Sequence, residues 1–269
     1  MKEKLPNIER NTLLNSALIR VIAPLLTTII HELGHFIVTV SLGNSATLYH
    51  NRVETHTENL DFFNQISIPI GGPIISLLQG IICMLVFERI KNGISSLFTL
   101  WMGISGLMAF FGYMMIAPLF TVGDTGKVFQ LLEIPMPWQI TIAIGSLILF
   151  TILLLRFHLG FERFIPEDIL GGKELRAKWA KLLIMYPLIF GIIIHTFMQF
   201  PVVHFLSLLP SLSMPFMLFM VYGQLIMSKN KIERKKNKNV TQLSVPLIIL
   251  FVCVILLYRL LVSGIAVVR

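Results

Sequence analysis

Long apolar runs recur along this chain at roughly the length a bilayer demands, and they restrict its folding more than any other feature. A helix rising about 1.5 Å per residue needs about 20 apolar residues to cross a hydrocarbon core of about 30 Å. Runs of that order fall at about 21–42, 66–87, 96–122, 138–155, 180–200, 205–227 and 245–262. Of the 269 residues, 55% are hydrophobic and 13% charged, against about 25% charged in an ordinary soluble domain. The mean hydropathy is +0.79. The ten-residue alternation of a transmembrane β-barrel is absent. The chain is therefore expected to be an all-α, polytopic integral membrane protein of about seven transmembrane helices (six to seven). A single domain over 1–269 accounts for it, since no linker or internal repeat divides the sequence. The count is least fixed around 196–215, where Pro201 and Pro210 bracket a short uncharged connection that a re-entrant segment would also satisfy. Pro210 and Pro215 are expected to bend or break the sixth span.

The net charge of +8 would suit nucleic-acid binding if it formed one patch, but it lies in the short connections. Basic residues gather at the N-terminus (Lys2, Lys4, Arg10), after the second run (Arg89, Lys91), after the fourth (Arg156, Arg163, Lys173, Arg176, Lys178, Lys181) and within 229–238. The alternate connections carry Arg52 and Lys127. Seven spans put every basic cluster on one side, and the positive-inside rule makes that side cytoplasmic, N-terminus included. The expected partners are thus the lipid bilayer and membrane proteins, not nucleic acid; the expected location is the cell membrane, as a multi-pass protein. Arg20, at the edge of the first span, is expected to snorkel to the interface. Cys83 and Cys253 are too few and too far apart for a disulfide framework or a cysteine-based zinc site.

Within the first run lies His31-Glu32-Leu33-Gly34-His35. Positions four apart on a helix share a face, so His31 and His35 can offer imidazoles to one metal ion. Glu32 beside them can act as general base toward water that the ion activates. Charged and ionisable groups in so apolar a run are costly unless paired or metal-bound, which marks a functional site. Because the motif falls in the first run, that segment is expected to be retained and not cleaved as a signal peptide.

A catalytic zinc takes three protein ligands. The chain has three aspartates. Asp168 falls in a connection assigned to the cytoplasmic side and Asp61 in the polar first loop. Asp124 follows the third run, which the topology brings to the side of the motif, and Pro118 and Gly123 can bend the chain back toward it. Asp124 is thus the leading third ligand, although it also suits a helix N-cap before residues 125–133. His195, His204 and Glu133 remain alternatives. His50 and His56 read as solvated surface.

With those residues the chain resembles the site-2 protease family of intramembrane zinc metalloproteases over roughly its first 130 residues. His31 to His35 match the metal and base motif closely. Gly71-Gly72-Pro73 looks like the family's Gly-Pro motif, with Ser76 where an asparagine is usual; a tight turn and close helix packing would explain these residues equally well. Pro118 and Asp124 are similar to the segment that donates the third ligand, with Met115 at its asparagine position and Thr125 between Asp124 and Gly126. The resemblance implies a zinc-dependent endopeptidase (Zn2+ held by His31, His35 and Asp124, Glu32 as catalytic base) acting on a transmembrane protein substrate. It implies a catalytic core over about 12–135, with additional spans over about 138–262 and no inserted soluble domain. A membrane zincin of another family cutting soluble or peripheral proteins, or a non-catalytic scaffold or transporter with a relic motif, are the alternative expectations.

Overall fold

The computed structural model describes residues 4–166, 172–202, 208, 212–228 and 239–268. Helix α1 (Lys4–Ser41) leads into a short hairpin of β1 (Ala46–Leu48) and β2 (Val53–Thr55). Helices α2 (Phe62–Phe87), α3 (Gly93–Ile116), the short α4 (Asp124–Leu131) and α5 (Met136–Glu162) follow. Helix α6 (Lys173–Ala180) continues through a π-helical turn, Lys181–Met185, into α7 (Tyr186–Met198). A 3₁₀ turn at Met214–Met217 leads into α8 (Leu218–Met227), and α9 (Val245–Leu260) precedes a last strand, β3 (Ile265–Val267).

Among the described residues six helical segments are long and apolar enough to cross a membrane, and Met214–Met227 is a shorter apolar helix. The contacts fix which ends lie together. Asn15 donates from its amide to the Val240 and Gln242 carbonyls, Lys178 pairs with Glu9 at 2.6 Å, and Arg163 forks onto Glu88. These gather the starts of α1, α6 and α9 with the ends of α2 and α5. At the opposite end β3 pairs with β1, and Asn51 donates to the Gln199 carbonyl. Gln199 and Val240 thus stand at opposite ends of the bundle, and the apolar helix Met214–Met227 lies between them in sequence. The basic residues Arg89, Arg163 and Lys178 all lie at the end of the bundle that holds the start of α1.

Three expectations change. The all-α description must admit a three-stranded antiparallel sheet in the order β2-β1-β3, with Ala46 opposite Thr55 and Val267. Gly264, at φ +79°, turns the end of α9 back so that β3 can join; a Cβ there would come within 2.7 Å of the Thr47 and Tyr49 side chains. Helix α1 starts well before residue 21, because Asn11 and Asn15 find partners in 240–244. Arg20 does not snorkel. It is 3% exposed, with its stem packed on Gly191 of α7 and its guanidinium over the Trp101 ring at 5.4 Å. His204 and Asp168 lie outside the described residues.

Helices α1 and α2 touch backbone to backbone. A Cβ added at Gly34 would sit 2.5 Å from the Gly71 carbonyl, and one at Gly71 would sit 2.7 Å from the Gly34 carbonyl. Small residues permit this approach, the usual device of apolar helix pairs. It carries the face of α2 defined by Ile68, Gly72 and Ser76, each four residues apart, onto the motif.

Candidate metal centre

His31 and His35 project from one face of α1, while Asp124 is the first residue of α4. The chain leaves α3 at Ile116, turns through 117–123 and brings Asp124 back onto the motif. Asp124 is not the N-cap; Gly123 holds that position without a side-chain bond, and the Asp124 carboxylate turns to the imidazoles. The Asp124 Oδ2 lies 3.0 Å from His31 Nε2 and 3.2 Å from His35 Nε2, and the two Nε2 atoms are 3.1 Å apart. Among the described residues these three form the one group of His, Cys, Asp or Glu suited to hold an ion. Glu133, expected as an alternative, is exposed and outside it.

The donor set fits a tetrahedral ion. Ligands about 2.0–2.1 Å from such an ion stand about 3.3 Å from each other, close to the spacing found. The outward nitrogens are engaged as metal-binding histidines require. His35 Nδ1–H donates to the Ile68 carbonyl at 2.8 Å, which leaves its Nε2 lone pair facing inward. His31 Nδ1 meets Ser76 Oγ at 3.0 Å. Tyr113 stacks on His31, with centroids 4.7 Å apart and planes 8° from parallel. At Gly72 a side chain is excluded, since its Cβ would strike the Nε2 atoms of both histidines. Burial opposes ionisation of Asp124, but the imidazoles beside it outweigh that and hold its carboxyl below the usual carboxylate range.

Glu32 is 6% exposed and lines a cavity of about 150 Å³ with His31, Tyr113, Asn51, Arg20 and His195. Among the described residues its carboxylate makes no hydrogen bond. A buried carboxylate kept free beside a ligand cluster is placed to exchange a proton with something in the cavity.

The other histidines separate. His195 faces Gln199 at 3.1 Å and Thr28 at 3.4 Å, in the cavity but outside the ligand cluster. His56 is exposed, 2.7 Å from Thr47 Oγ1. His50, expected on the solvated surface, is fully buried. The turn between β1 and β2 dips into the bundle, so that His50 Nε2–H donates to the Gln199 carbonyl at 3.0 Å and the ring meets Tyr258 edge-on. Asn51 on the same turn reaches the cavity wall. Asp61 caps α2, accepting from Asn64 N–H at 2.7 Å. Ser76 shows in the sequence as the residue standing where the Gly-Pro motif usually has an asparagine, whereas Tyr113 shows only as a hydroxyl-bearing ring in an apolar run.

Comparison of the chain with family models, with characterised proteins and with solved structures gave no match.

Proposed function

We propose that this chain is an intramembrane zinc metalloprotease of the site-2 protease type, cutting peptide bonds in or near the membrane spans of other proteins. The observation that carries the proposal is the convergence of two histidines and an aspartate, from helices far apart in sequence, beside a free buried carboxylate inside a bundle of apolar helices. Three protein ligands of this composition match a catalytic site, where closed structural zinc sites take four. The bundle is read as spanning the cell membrane with the N-terminus cytoplasmic, from the positive-inside rule. Residues 12–135 supply the chemistry, and the later helices complete the enclosure.

His31, His35 and Asp124 would hold the ion. Zinc, when bound, supplies a Lewis acid that polarises a carbonyl and acidifies water. With the ion in place, Glu32 would accept a proton from the water that adds to the peptide carbonyl and return it to the amine as the C–N bond breaks. Ser76 and the Ile68 carbonyl keep the imidazoles in their ligating orientation. The surrounding helices restrict bulk water. A substrate helix must first surrender its own backbone bonds, and β2, with β1 on one side only among the described residues, offers an edge on which an extended segment can replace them.

The test compares membranes holding the wild-type chain with those holding Glu32→Gln. Precursors with single spans should accumulate in the variant, with cuts inside or beside the span, while zinc remains equimolar with protein. Unchanged cleavage by Glu32→Gln would sink the proteolytic reading. Absence of zinc from purified wild-type protein would point to a relic, and cuts confined to soluble segments to another class of zincin.

A further inference from the structure

Among the described residues Arg20 is a buried cation without a counter-charge. It makes no ion pair among the described residues, and neither its Nε nor its Nη1 has a hydrogen-bond partner. Its burial is specific, because only a glycine at 191 leaves space for it; a Cβ there would stand 2.7 Å from Arg20 Cγ and 3.3 Å from Nη1. An uncompensated buried guanidinium is strongly unfavourable, so a retained one calls for an anion. The cavity supplies the route. Arg20, Pro24, Thr27, Thr28 and His31 follow one face of α1 along its wall.

A second orphan group lines that wall. Asn51 donates through its amide nitrogen to the Gln199 carbonyl, but its buried Oδ1 has no donor. A cationic fork at one point and a free acceptor at another complement a polypeptide that carries a carboxylate and backbone N–H groups.

We propose that Arg20 is a specificity-determining subsite that binds a carboxylate of the polypeptide whose amide lies at His31, His35 and Asp124. This rests on the hydrolytic reading above. Eleven residues of helix separate Arg20 from His31, about 16 Å along the axis. An extended chain advances about 3.3 Å per residue, so the carboxylate lies about five residues from the scissile bond. An aspartate or glutamate side chain supplies it, or the terminal carboxylate of a chain ending there.

The probes are short fluorescein-labelled alanine–leucine peptides in three forms: one internal aspartate with an amidated C-terminus, no aspartate with a free C-terminus, and neither carboxylate. Binding to full-length Glu32→Gln protein in detergent is read by fluorescence polarisation. One or both carboxylate forms should bind about tenfold or more tighter than the neutral form, as a charge-assisted pair allows. Which form gains identifies the source. Adding Arg20→Gln should erase the preference and Arg20→Lys should retain part of it, with zinc content unchanged in both. The preference itself is measured with Arg20 intact, so it does not depend on Arg20→Gln folding. Equal binding of all three forms, no binding by any, or a preference that survives Arg20→Gln would overturn the subsite. Because the readout is binding, a carboxylate preference in protein that holds no zinc would sink the hydrolytic reading and leave the anion site standing.

Discussion

Helices α3 and α5 are similar in length and both strongly apolar, yet 61% of the membrane-length window of α3 is buried against 17% of that of α5. The difference lies in side-chain size. Helix α3 carries Gly103, Gly106, Gly112 and Ser105 on buried positions, and a Cβ at Gly106 would sit 2.7 Å from the Ser76 carbonyl. Helix α5 turns Ile140, Ile144, Leu147, Ile148 and Ile152 outward, each between 44% and 56% exposed. In lipid, apolar surface alone gives helices no reason to associate, so close fit and polar contacts decide which become central. The central helices here are the ones that set the ligand geometry: α3 presses on α2 at Ser76, and α2 holds both imidazoles.

This contrast can be tested from both sides. The largest effect should follow Asp124→Ala, with metal in the purified protein falling from equimolar to background and cleavage lost with it. If Asp124→Ala kept full metal while His195→Ala lost it, the ligand set would be wrong. Gly72→Ala should come next, since the methyl group meets both Nε2 atoms; beyond an overpacking cost of about 1–3 kcal/mol in thermal unfolding, metal content should drop sharply. Ser76→Ala removes only the outer partner of His31, and zinc competition should show affinity weakened by roughly 10–100-fold with the fold intact. At the far end, Ile148→Ala on the outward face of α5 should change unfolding in lipid nanodiscs by no more than about 0.5 kcal/mol. A large loss there would mean that α5 is packed against something, and the division into central and lipid-facing helices would need revision.

The shared face of His31 and His35 and the helices could be read from sequence because both depend on short-range spacing. Asp124 could be placed because topology, a property of the whole chain, brings the end of α3 to the motif. What escaped depends on long-range fit. Arg20 sits where a snorkelling side chain is expected, and its burial follows from a glycine 171 positions later. His50 looks solvated in a polar loop, and the dip of its turn is set by Gln199 and Tyr258. The strand β3 follows an apolar run without a break in composition; the turn at Gly264 and the partner in β1 decide its form.

One consequence concerns the chain as a polymer. His31 and Asp124 stand 93 positions apart. An ion shared between them would close a loop of that length, as a cross-link does. A disulfide closing a comparable loop restricts the unfolded chain by about 4–5 kcal/mol. Metal uptake would then act as a fastening for the first four helices as well as a source of chemistry, tying the completion of the fold to the loading of the site.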